Sequence, residues 1–293
     1  RRQRQMCIRD SHLTMHNYAD ALKDAEAALA STSSVPYSSA AVSKPTFIDI
    51  EDASWMWGIL ITDKDRVSTT GICNFPSHMG SLNYGYASVG GWRRISPKLY
   101  NQIPESDVRK GWFLDDTGVS VNLPAAAQAY ITKKGAPVYT QVKYGPMNDE
   151  WGSNNNATDV ILMRVEEMYL IKAEAQAMNN DVSGGVNTLN SFVNTYRDPS
   201  YKCTATTGEA VQEAVWHQRR IEFWGEGLAY FDIMRLNKGV NRLGCGFPKT
   251  AVFNIAAGDP VQIYSIPNKE VQYNPLLENN PLVSAPTPIP DEE

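Results

Sequence analysis

The chain has 293 residues, 42% of them hydrophobic and 20% charged, and its formal net charge is −5 at pH 7. A chain of this length and composition can bury a sizeable core in one large domain or two small ones. The mild acidity argues against a nucleic-acid or anionic-membrane partner, because such binding requires clustered Lys and Arg, and no run approaches the roughly 20 apolar residues of a transmembrane helix.

The first segment, residues 1–11, reads RRQRQMCIRDS and resembles translated adapter sequence at the end of a reading frame. No apolar stretch precedes Cys7, and its basic neighbours are the opposite of the small and apolar residues that a lipidation signal requires. We therefore expect residues 1–11 to be non-native, Cys7 to carry no lipid, and the chain to be a C-terminal fragment of a longer protein.

Residues 12–45 are predicted to be the tail of an incomplete N-terminal helical region. Small and apolar residues recur at helical spacing over residues 16–31, and this pattern is typical of the second helix of a tetratricopeptide hairpin. Its partner helix is expected upstream of the chain. The Ser- and Pro-rich residues 31–45 are expected to form a loop.

A short helix or turn and then a strand are predicted for residues 48–66, with Trp55 and Trp57 interpreted as core residues. Residues 68–157 lack a long helical period and are rich in Gly, Pro, Asn and aromatic residues. A loop-rich region of this length inside a domain is usually functional.

Helical hairpins are predicted for the next part of the chain. Apolar residues recur at a spacing of three to four over residues 157–181, where Thr158 or Asp159 would be the N-cap, and a second helix is predicted over 183–199. Residues 206–239 predict another pair of helices, ending at a glycine.

The last part of the chain has little regular pattern. Residues 262–281 have a strand-like start followed by extended Pro- and Asn-rich chain, and residues 284–293 are predicted to be a disordered tail.

Residues 217–239, HQRRIEFWGEGLAYFDIMRLNKG, concentrate charged and aromatic side chains and allow two interpretations. Glu222 and Glu226 are four residues apart, so on one helix they would share a face and could be the paired carboxylates of a glycoside hydrolase. The neighbouring arginines would lower a pKa that a general acid needs raised, which favours a structural ion-pair network between two helices. The predicted network comprises Arg164, Glu167, Arg219, Arg220, Glu222, Glu226, Asp232 and Arg235.

Four segments resemble motifs of the SusD/RagB family of outer-membrane nutrient-binding lipoproteins, and they occur in the same order as in that family. They are ISPKLYNQIPESDVRKGWF, ILMRVEEMYLIKAEAQA, QRRIEFWGEGLAYFDIMRLNKG and IYSIPNKEVQYNPLLENNP, within about residues 95–281. The second segment departs from the family at Glu166, where a small residue is commoner. The chain is therefore identified as a member of this family, with residues 46–283 as its SusD/RagB-like C-terminal domain.

This resemblance implies a fold, an activity and a location. The fold would be mostly α, with tetratricopeptide-like helical hairpins as scaffold and a large loop-rich region that carries the ligand site. The protein would be a non-catalytic lipoprotein that captures oligosaccharides or other nutrients for a TonB-dependent, SusC-like transporter. It would face outward from the outer membrane, held only by an N-terminal lipid anchor that lies upstream of this fragment.

The matched segments are scaffold in that family, so ligand contacts are expected among the aromatic loops. Aromatic faces stack on sugar rings, while nearby amide and acid groups bind the hydroxyls. The candidates are Asn83, Tyr84, Tyr86, Trp92, Asn148, Asp149, Trp151 and Asn154. Asp149 and the asparagines after it also offer oxygen atoms of the kind that calcium takes, although without EF-hand spacing.

The cysteines and histidines predict no metal site and no cofactor. Cys7, Cys73, Cys203 and Cys245 form no C-x-x-C pair, and the four histidines show no H-E-x-x-H spacing. Two other functions remain open: a glycoside hydrolase that uses Glu222 and Glu226, and a helical-repeat module that binds proteins. The long aromatic loops argue against the second, because repeat modules have short, regular loops.

Overall fold

A computed structural model describes residues 10–69, 74–281 and 283–288 of the chain. It is mostly helical with few short strands, which confirms the predicted fold class. Cys7 and most of segment 1–11 lie outside the described residues, as do residues 289–293 of the predicted disordered tail.

The α-helices with both ends among the described residues are, in chain order, α1 (Tyr18–Ser31), α2 (Ser39–Val42), α3 (Phe75–Met79), α4 (Pro97–Tyr100), α5 (Ala125–Lys133), α6 (Val165–Met178), α7 (Val182–Tyr196), α8 (Gly208–Glu222), α9 (Ala229–Arg235) and α10 (Asn268–Tyr273). The strands there are β1 (Trp55–Ile59), β2 (Val160–Arg164), β3 (Val240–Asn241) and β4 (Asn254–Ile255). The chain forms two compact units: a larger one of Arg1–Ile95 and Leu99–Gly227, and a smaller one of Ser96–Lys98 and Leu228–Glu293.

Helix α6 is the centre of the helical layer in the larger unit, where it packs against α1, α7 and α8. Its contact with α1 buries Ala21 and Ala25 in one cluster with Ile171 and Ala175. Small side chains let the two helix backbones approach closely. The helix that was expected to pair with an upstream partner therefore packs on α6.

The long helix predicted over residues 157–181 is in fact a strand followed by a helix. Residues Val160–Arg164 form β2, which pairs antiparallel with β1, and α6 begins only at Val165. Asp159 is not its N-cap, because its carboxylate accepts hydrogen bonds from the backbone N–H groups of Ile50 (2.8 Å) and Ile61 (2.7 Å). Pairing with a distant strand overrode the local helical pattern.

The same strand pair corrects the interpretation of one tryptophan. Trp55 is buried, as expected, but Trp57 is 41% exposed. Residues two apart in a regular strand share a face, but a bulge lies between these two and breaks that alternation.

The charge-rich segment 217–239 is interrupted where its glycines lie. Helix α8 ends at Glu222, and Gly225 (φ +80°) and Gly227 (φ +84°) adopt left-handed backbone conformations. A side chain at Gly225 would be strained in this conformation, so the position favours a glycine. The next helix, α9, ends at Arg235, before the predicted end at residue 239.

The smaller unit contains α9, α10 and a short antiparallel pair, β3 and β4, with Val240 opposite Ile255. The strand expected at the start of residues 262–281 does not form. Instead, the Asn279 side chain accepts a hydrogen bond from the N–H of Ile266 (2.8 Å) and donates one to its carbonyl oxygen (3.1 Å). These side-chain bonds satisfy the backbone without a strand partner.

Candidate functional site

Eight charged side chains of the larger unit form a buried charge cluster. Its members are Asp107, Arg109, Lys143, Arg164, Glu166, Arg197, Glu222 and Glu226. Four are cationic and four are anionic, so the cluster is formally neutral. A buried charge is tolerated only when it is paired and hydrogen-bonded, and this set meets that condition internally.

Glu222 is the central anion of the cluster and is 0% exposed. It accepts hydrogen bonds from Arg164 (2.6 Å), from two nitrogens of Arg197 (both 2.8 Å) and from Arg109 (3.2 Å). These three arginines come from β2, from the end of α7 and from the turn that follows Asp107. A single carboxylate thus ties together segments that are distant in the sequence.

Glu226 is the second anion that had been considered for catalysis. Its carboxylate accepts hydrogen bonds from Arg164 (2.9 and 3.0 Å) and from the Lys143 ammonium group (2.5 Å). Lys143 also donates to the carbonyl oxygens of Glu222 (3.0 Å) and Trp224 (3.1 Å). The ammonium group therefore holds the turn after α8 in place.

Ionisation within the cluster follows from these contacts. Burial raises the pKa of Glu222, but the guanidinium groups of Arg197 and Arg164 outweigh it and hold that pKa well below its usual range. Burial likewise raises the pKa of Glu226, and Arg164 and Lys143 together bring it below its usual value. A general acid needs a raised pKa, so this arrangement favours a structural role for both carboxylates.

For Lys143, in contrast to the two glutamates, the buried environment disfavours the charged form. Burial lowers the pKa of its ammonium group to about 8, although the Glu226 carboxylate acts in the other direction. Lys143 was not predicted to belong to the network, and neither were Asp107, Arg109, Glu166 and Arg197. Arg109 lies in a matched family segment, which was the one available signal for it, whereas nothing local marked Lys143.

Other members of the predicted network also have close partners of their own. Arg219 pairs with Glu167 at 3.3 Å. In the smaller unit, Asp232 and Arg235 pair with each other at 2.8 Å on a single helix, α9. The guanidinium group of Arg220 lies over the ring of Trp216, 5.0 Å from its centroid.

The predicted ligand residues lie in two loops that the fold brings together. The N–H of Tyr84 donates to the carbonyl oxygen of Ser153 (2.8 Å), and the N–H of Gly152 donates to the carbonyl oxygen of Leu82 (2.8 Å). The side chain of Asn156 adds a bond to the carbonyl oxygen of Tyr84 (3.3 Å). The loops around residues 81–93 and 147–156 thus form one continuous surface.

We call this region the aromatic-loop surface and define it by Tyr84, Tyr86, Trp92 and Trp151. The two tyrosines are 48% and 44% exposed. The two tryptophans are half-buried, and both pack on one apolar cluster that includes Leu82. The surface therefore combines exposed phenol rings with indole rings that are anchored from below.

Cationic and imidazole side chains surround the exposed tyrosines. The Lys134 ammonium group lies 5.8 Å from the ring centroid of Tyr84. The Tyr86 ring stacks on His78, with 5.0 Å between centroids, and the Arg93 guanidinium lies 5.5 Å from its centroid. These neighbours were not predicted, because the lysine directly follows α5 and the histidine lies on α3.

The polar candidates differ in how they are placed. Asn83 is buried, and its amide group donates to the Asn156 side chain and to the carbonyl oxygen of Pro76 (3.4 Å). Asn148, Asp149 and Asn154 are exposed in the second loop. Asn83 therefore supports the two loops from beneath, while the other three can reach solvent.

Among residues 10–69, 74–281 and 283–288, no three His, Cys, Asp or Glu side chains gather closely enough to hold a metal ion. Within the same ranges, the helices are all too short or too polar to cross a membrane.

Comparison with known proteins gives one family match, to the model of the SusD family over residues 108–282. Among solved structures, a SusD superfamily protein from Bacteroides thetaiotaomicron VPI-5482 matches with 22% identity and a TM-score of 0.73, covering 95% of this chain and 60% of that one. A search among curated proteins gave no match.

Two structures from Bacteroides vulgatus ATCC 8482 are also similar. A SusD superfamily protein has 19% identity and a TM-score of 0.70, with coverage of 94% and 58% of the two chains. A SusD-like carbohydrate binding protein has 22% identity and a TM-score of 0.58, with coverage of 87% and 46%. The chain thus spans 46–60% of the length of these three structures, and at these identities the likeness shows the fold.

Proposed function

The chain belongs to the SusD family, and we propose that it binds oligosaccharides through the aromatic-loop surface without acting on them chemically. A SusD-like carbohydrate binding protein from Bacteroides vulgatus shares its fold. The family membership supports the ligand class, and the loops of this chain supply the surface for it.

The observation that carries the proposal is the exposure of Tyr84 and Tyr86 on a loop that is joined through its backbone to the loop around residues 147–156. A sugar ring presents C–H groups on its faces and hydroxyl groups around its edge. Aromatic rings suit the faces, while the exposed amide and acid groups of Asn148, Asp149 and Asn154 suit the hydroxyls. Because the loops are cross-linked, little conformational freedom is lost on binding.

The absence of chemistry is supported by the buried charge cluster. Glu222 and Glu226 are the paired carboxylates nearest to a glycosidase arrangement in the sequence, yet arginine and lysine side chains hold both in ionised form. A glycosidase of the common type needs one protonated carboxyl group at the scissile bond. Neither residue meets that requirement.

Location and partner follow from the family alone and are part of the same proposal. The protein would act at the outer membrane, facing outward on a lipid anchor, and would pass its ligand to a SusC-like, TonB-dependent transporter. The genes next to this one test the partner. A transporter gene of that type beside it would support the pairing, and its absence from the locus would count against it.

Titration calorimetry tests the binding proposal. Neutral linear hexasaccharides of glucan, xylan and mannan type are titrated into the protein, and the mixtures are then analysed by chromatography for shorter products. We expect binding of at least one hexasaccharide with no cleavage, and about tenfold weaker binding by Tyr84→Ala, since a stacked aromatic ring contributes up to about 1.4 kcal/mol.

Tyr273→Ala is the matched control, because Tyr273 is 85% exposed and lies in the smaller unit. Equal weakening by the two substitutions would contradict the site assignment. Release of shorter saccharides by the unaltered protein would contradict the non-catalytic function.

A further inference from the structure

The larger unit also contains a cleft that none of the residues defining the aromatic-loop surface lines. It has a volume of about 460 Å³ and is lined by residues between Tyr100 and Tyr139. The rings of these two tyrosines lie 5.2 Å apart at an angle of 59°. A volume of this size is in the range of sites for small molecules.

The cleft carries more negative than positive charge. Glu105, Asp107, Asp115 and Asp116 line it. Asp107 is paired with the Arg109 guanidinium (2.6 Å) and Glu105 with Lys110 (2.5 Å). Among the described residues, Asp115 and Asp116 have no ion-pair partner, so two carboxylates remain uncompensated. We call this site the acidic cleft.

Hydrogen bonds keep one of these carboxylates fixed and ionised. Oδ1 of Asp115 accepts from the N–H (2.8 Å) and hydroxyl (2.7 Å) of Thr117 and from the N–H of Val119 (2.9 Å). Burial raises the pKa of Asp115, but these bonds outweigh it and hold that pKa below its usual range. The negative charge is therefore present at neutral pH.

The phenol of Tyr100 is an independent sign that the cleft accommodates a ligand. Tyr100 is only 8% exposed and lines the cleft, yet none of the described residues makes a hydrogen bond to its hydroxyl. Burial, and then the carboxylates of Asp115 and Glu105, raise the pKa of Tyr100 to about 12. The ring is buried while its hydroxyl oxygen reaches solvent at the cleft, so this oxygen is available to a bound molecule.

We propose that the acidic cleft binds a sugar bearing a free ammonium group. The uncompensated carboxylates of Asp115 and Asp116 would pair with the ammonium group, and the Tyr100 hydroxyl oxygen would accept one of its hydrogen bonds. The Tyr139 ring, which is half-buried at the cleft, offers an apolar face to the sugar.

The sugar class rests on the function proposed above, whereas the requirement for positive charge rests on the acidic cleft alone. Acetylation of the amine removes the charge and adds bulk. The cleft would therefore discriminate between amino sugars and their N-acetylated forms.

The probe is a linear trimer of β-linked glucosamine, compared with the N-acetylated trimer by titration calorimetry at about pH 6, where an aliphatic amine is protonated. We expect the glucosamine trimer to bind at least tenfold more tightly. Added salt should weaken its binding, because exposed charges are screened. Equal affinity for the two trimers, or no binding of the glucosamine trimer, would overturn the proposal.

Two conservative variants locate the site. Asp116→Asn alters an exposed residue and should weaken binding about fivefold, the effect of losing one partly solvated ion pair. Tyr100→Phe keeps the ring and should weaken binding about tenfold, because a hydrogen bond to a charged group is lost. Asp63→Asn, an exposed acid outside the cleft, is the control and should bind as the unaltered protein does.

The variants also separate this proposal from the previous one. Tyr84→Ala should leave glucosamine-trimer binding unchanged, and Asp116→Asn should leave neutral hexasaccharide binding unchanged. If Asp116→Asn and Asp63→Asn bind the glucosamine trimer equally, the acidic cleft is not its site. If Tyr84→Ala abolishes glucosamine-trimer binding, the ligand lies on the aromatic-loop surface instead.

Discussion

The buried charge cluster and the aromatic-loop surface belong to the same unit of the protein but use polar side chains in opposite ways. In the cluster, Glu166, Glu222 and Glu226 each lie against at least two cations and are shielded from water. On the surface, Tyr84 and Tyr86 keep nearly half of their area exposed. A side chain whose hydrogen-bonding capacity is already used inside the protein has little left for a ligand.

This contrast explains why the most highly charged segment of the sequence is not the best candidate for a binding site. The two glutamates within residues 217–239 are paired with cations from β2 and from the end of α7 and with Lys143. The aromatic loops have less conspicuous residues, but the fold leaves them facing solvent. The experiments below measure how differently substitutions in the two regions affect the free energy of unfolding and saccharide binding.

The largest effect is expected in the cluster itself. Glu222→Gln keeps the shape of the side chain and removes the charge, which leaves three buried arginines short of a counterion. Breaking a buried ion pair costs about 3–5 kcal/mol in the free energy of unfolding. Chemical denaturation followed by circular dichroism measures this loss.

Glu51→Gln is the control for that substitution, because Glu51 is an exposed glutamate of the same unit. A surface change of this kind should stay within about 0.5 kcal/mol. If the two variants unfold at the same denaturant concentration, the cluster does not stabilise the fold and the contrast with the surface fails.

A smaller effect is expected from Lys143 at alkaline pH. Its pKa falls from 10.5 to about 8 on folding. Between those pH values the unfolded chain retains a proton that the folded protein has lost, so this residue makes stability rise with pH, by at most about 1.4 kcal/mol per pH unit. Lys143→Met should lack this contribution.

The measurement is the free energy of unfolding at several pH values from about 8 to 10 for the unaltered protein, Lys143→Met and Lys23→Met. Lys23 is exposed on α1 and serves as the control. Tyrosines of the unfolded chain also titrate towards pH 10, but they do so in all three proteins, so the difference between the curves isolates Lys143. Parallel curves for the unaltered protein and Lys143→Met would refute the lowered pKa.

The smallest effect on stability is expected on the aromatic-loop surface. Tyr84→Ala removes a half-exposed ring and should change the free energy of unfolding by about 0.5 kcal/mol or less, while weakening oligosaccharide binding. Thermal unfolding provides the check. A loss comparable to that of Glu222→Gln would mean that Tyr84 supports the fold, and the two regions would then not differ in kind.

Local patterns in the sequence predicted much of the helical scaffold. Apolar periodicity was sufficient for α7 and for α8, because each packs one face on its neighbours. It was not sufficient for β2, whose residues are strand only because β1 lies beside them. Contacts between distant segments have no local signature, so the first part of the predicted 157–181 helix was wrong.

The candidate sites show the same limit. The sequence picked out the aromatic side chains of two loops but could not predict that Tyr84 is hydrogen-bonded to Ser153. It identified Glu222 and Glu226 as a pair but not Lys143, which approaches them from a different part of the chain. The acidic cleft went unrecognised for the same reason, since Tyr100 and Tyr139 meet only after folding.

The most direct test compares one variant from each region in the same binding assay. Glu226→Gln and Tyr84→Ala, both verified as folded by circular dichroism, are titrated with a hexasaccharide that the unaltered protein binds, and the products are analysed. We predict that Glu226→Gln binds as the unaltered protein does, that Tyr84→Ala binds about tenfold more weakly, and that no protein shortens the saccharide. Hydrolysis by the unaltered protein that disappears in folded Glu226→Gln would contradict this account.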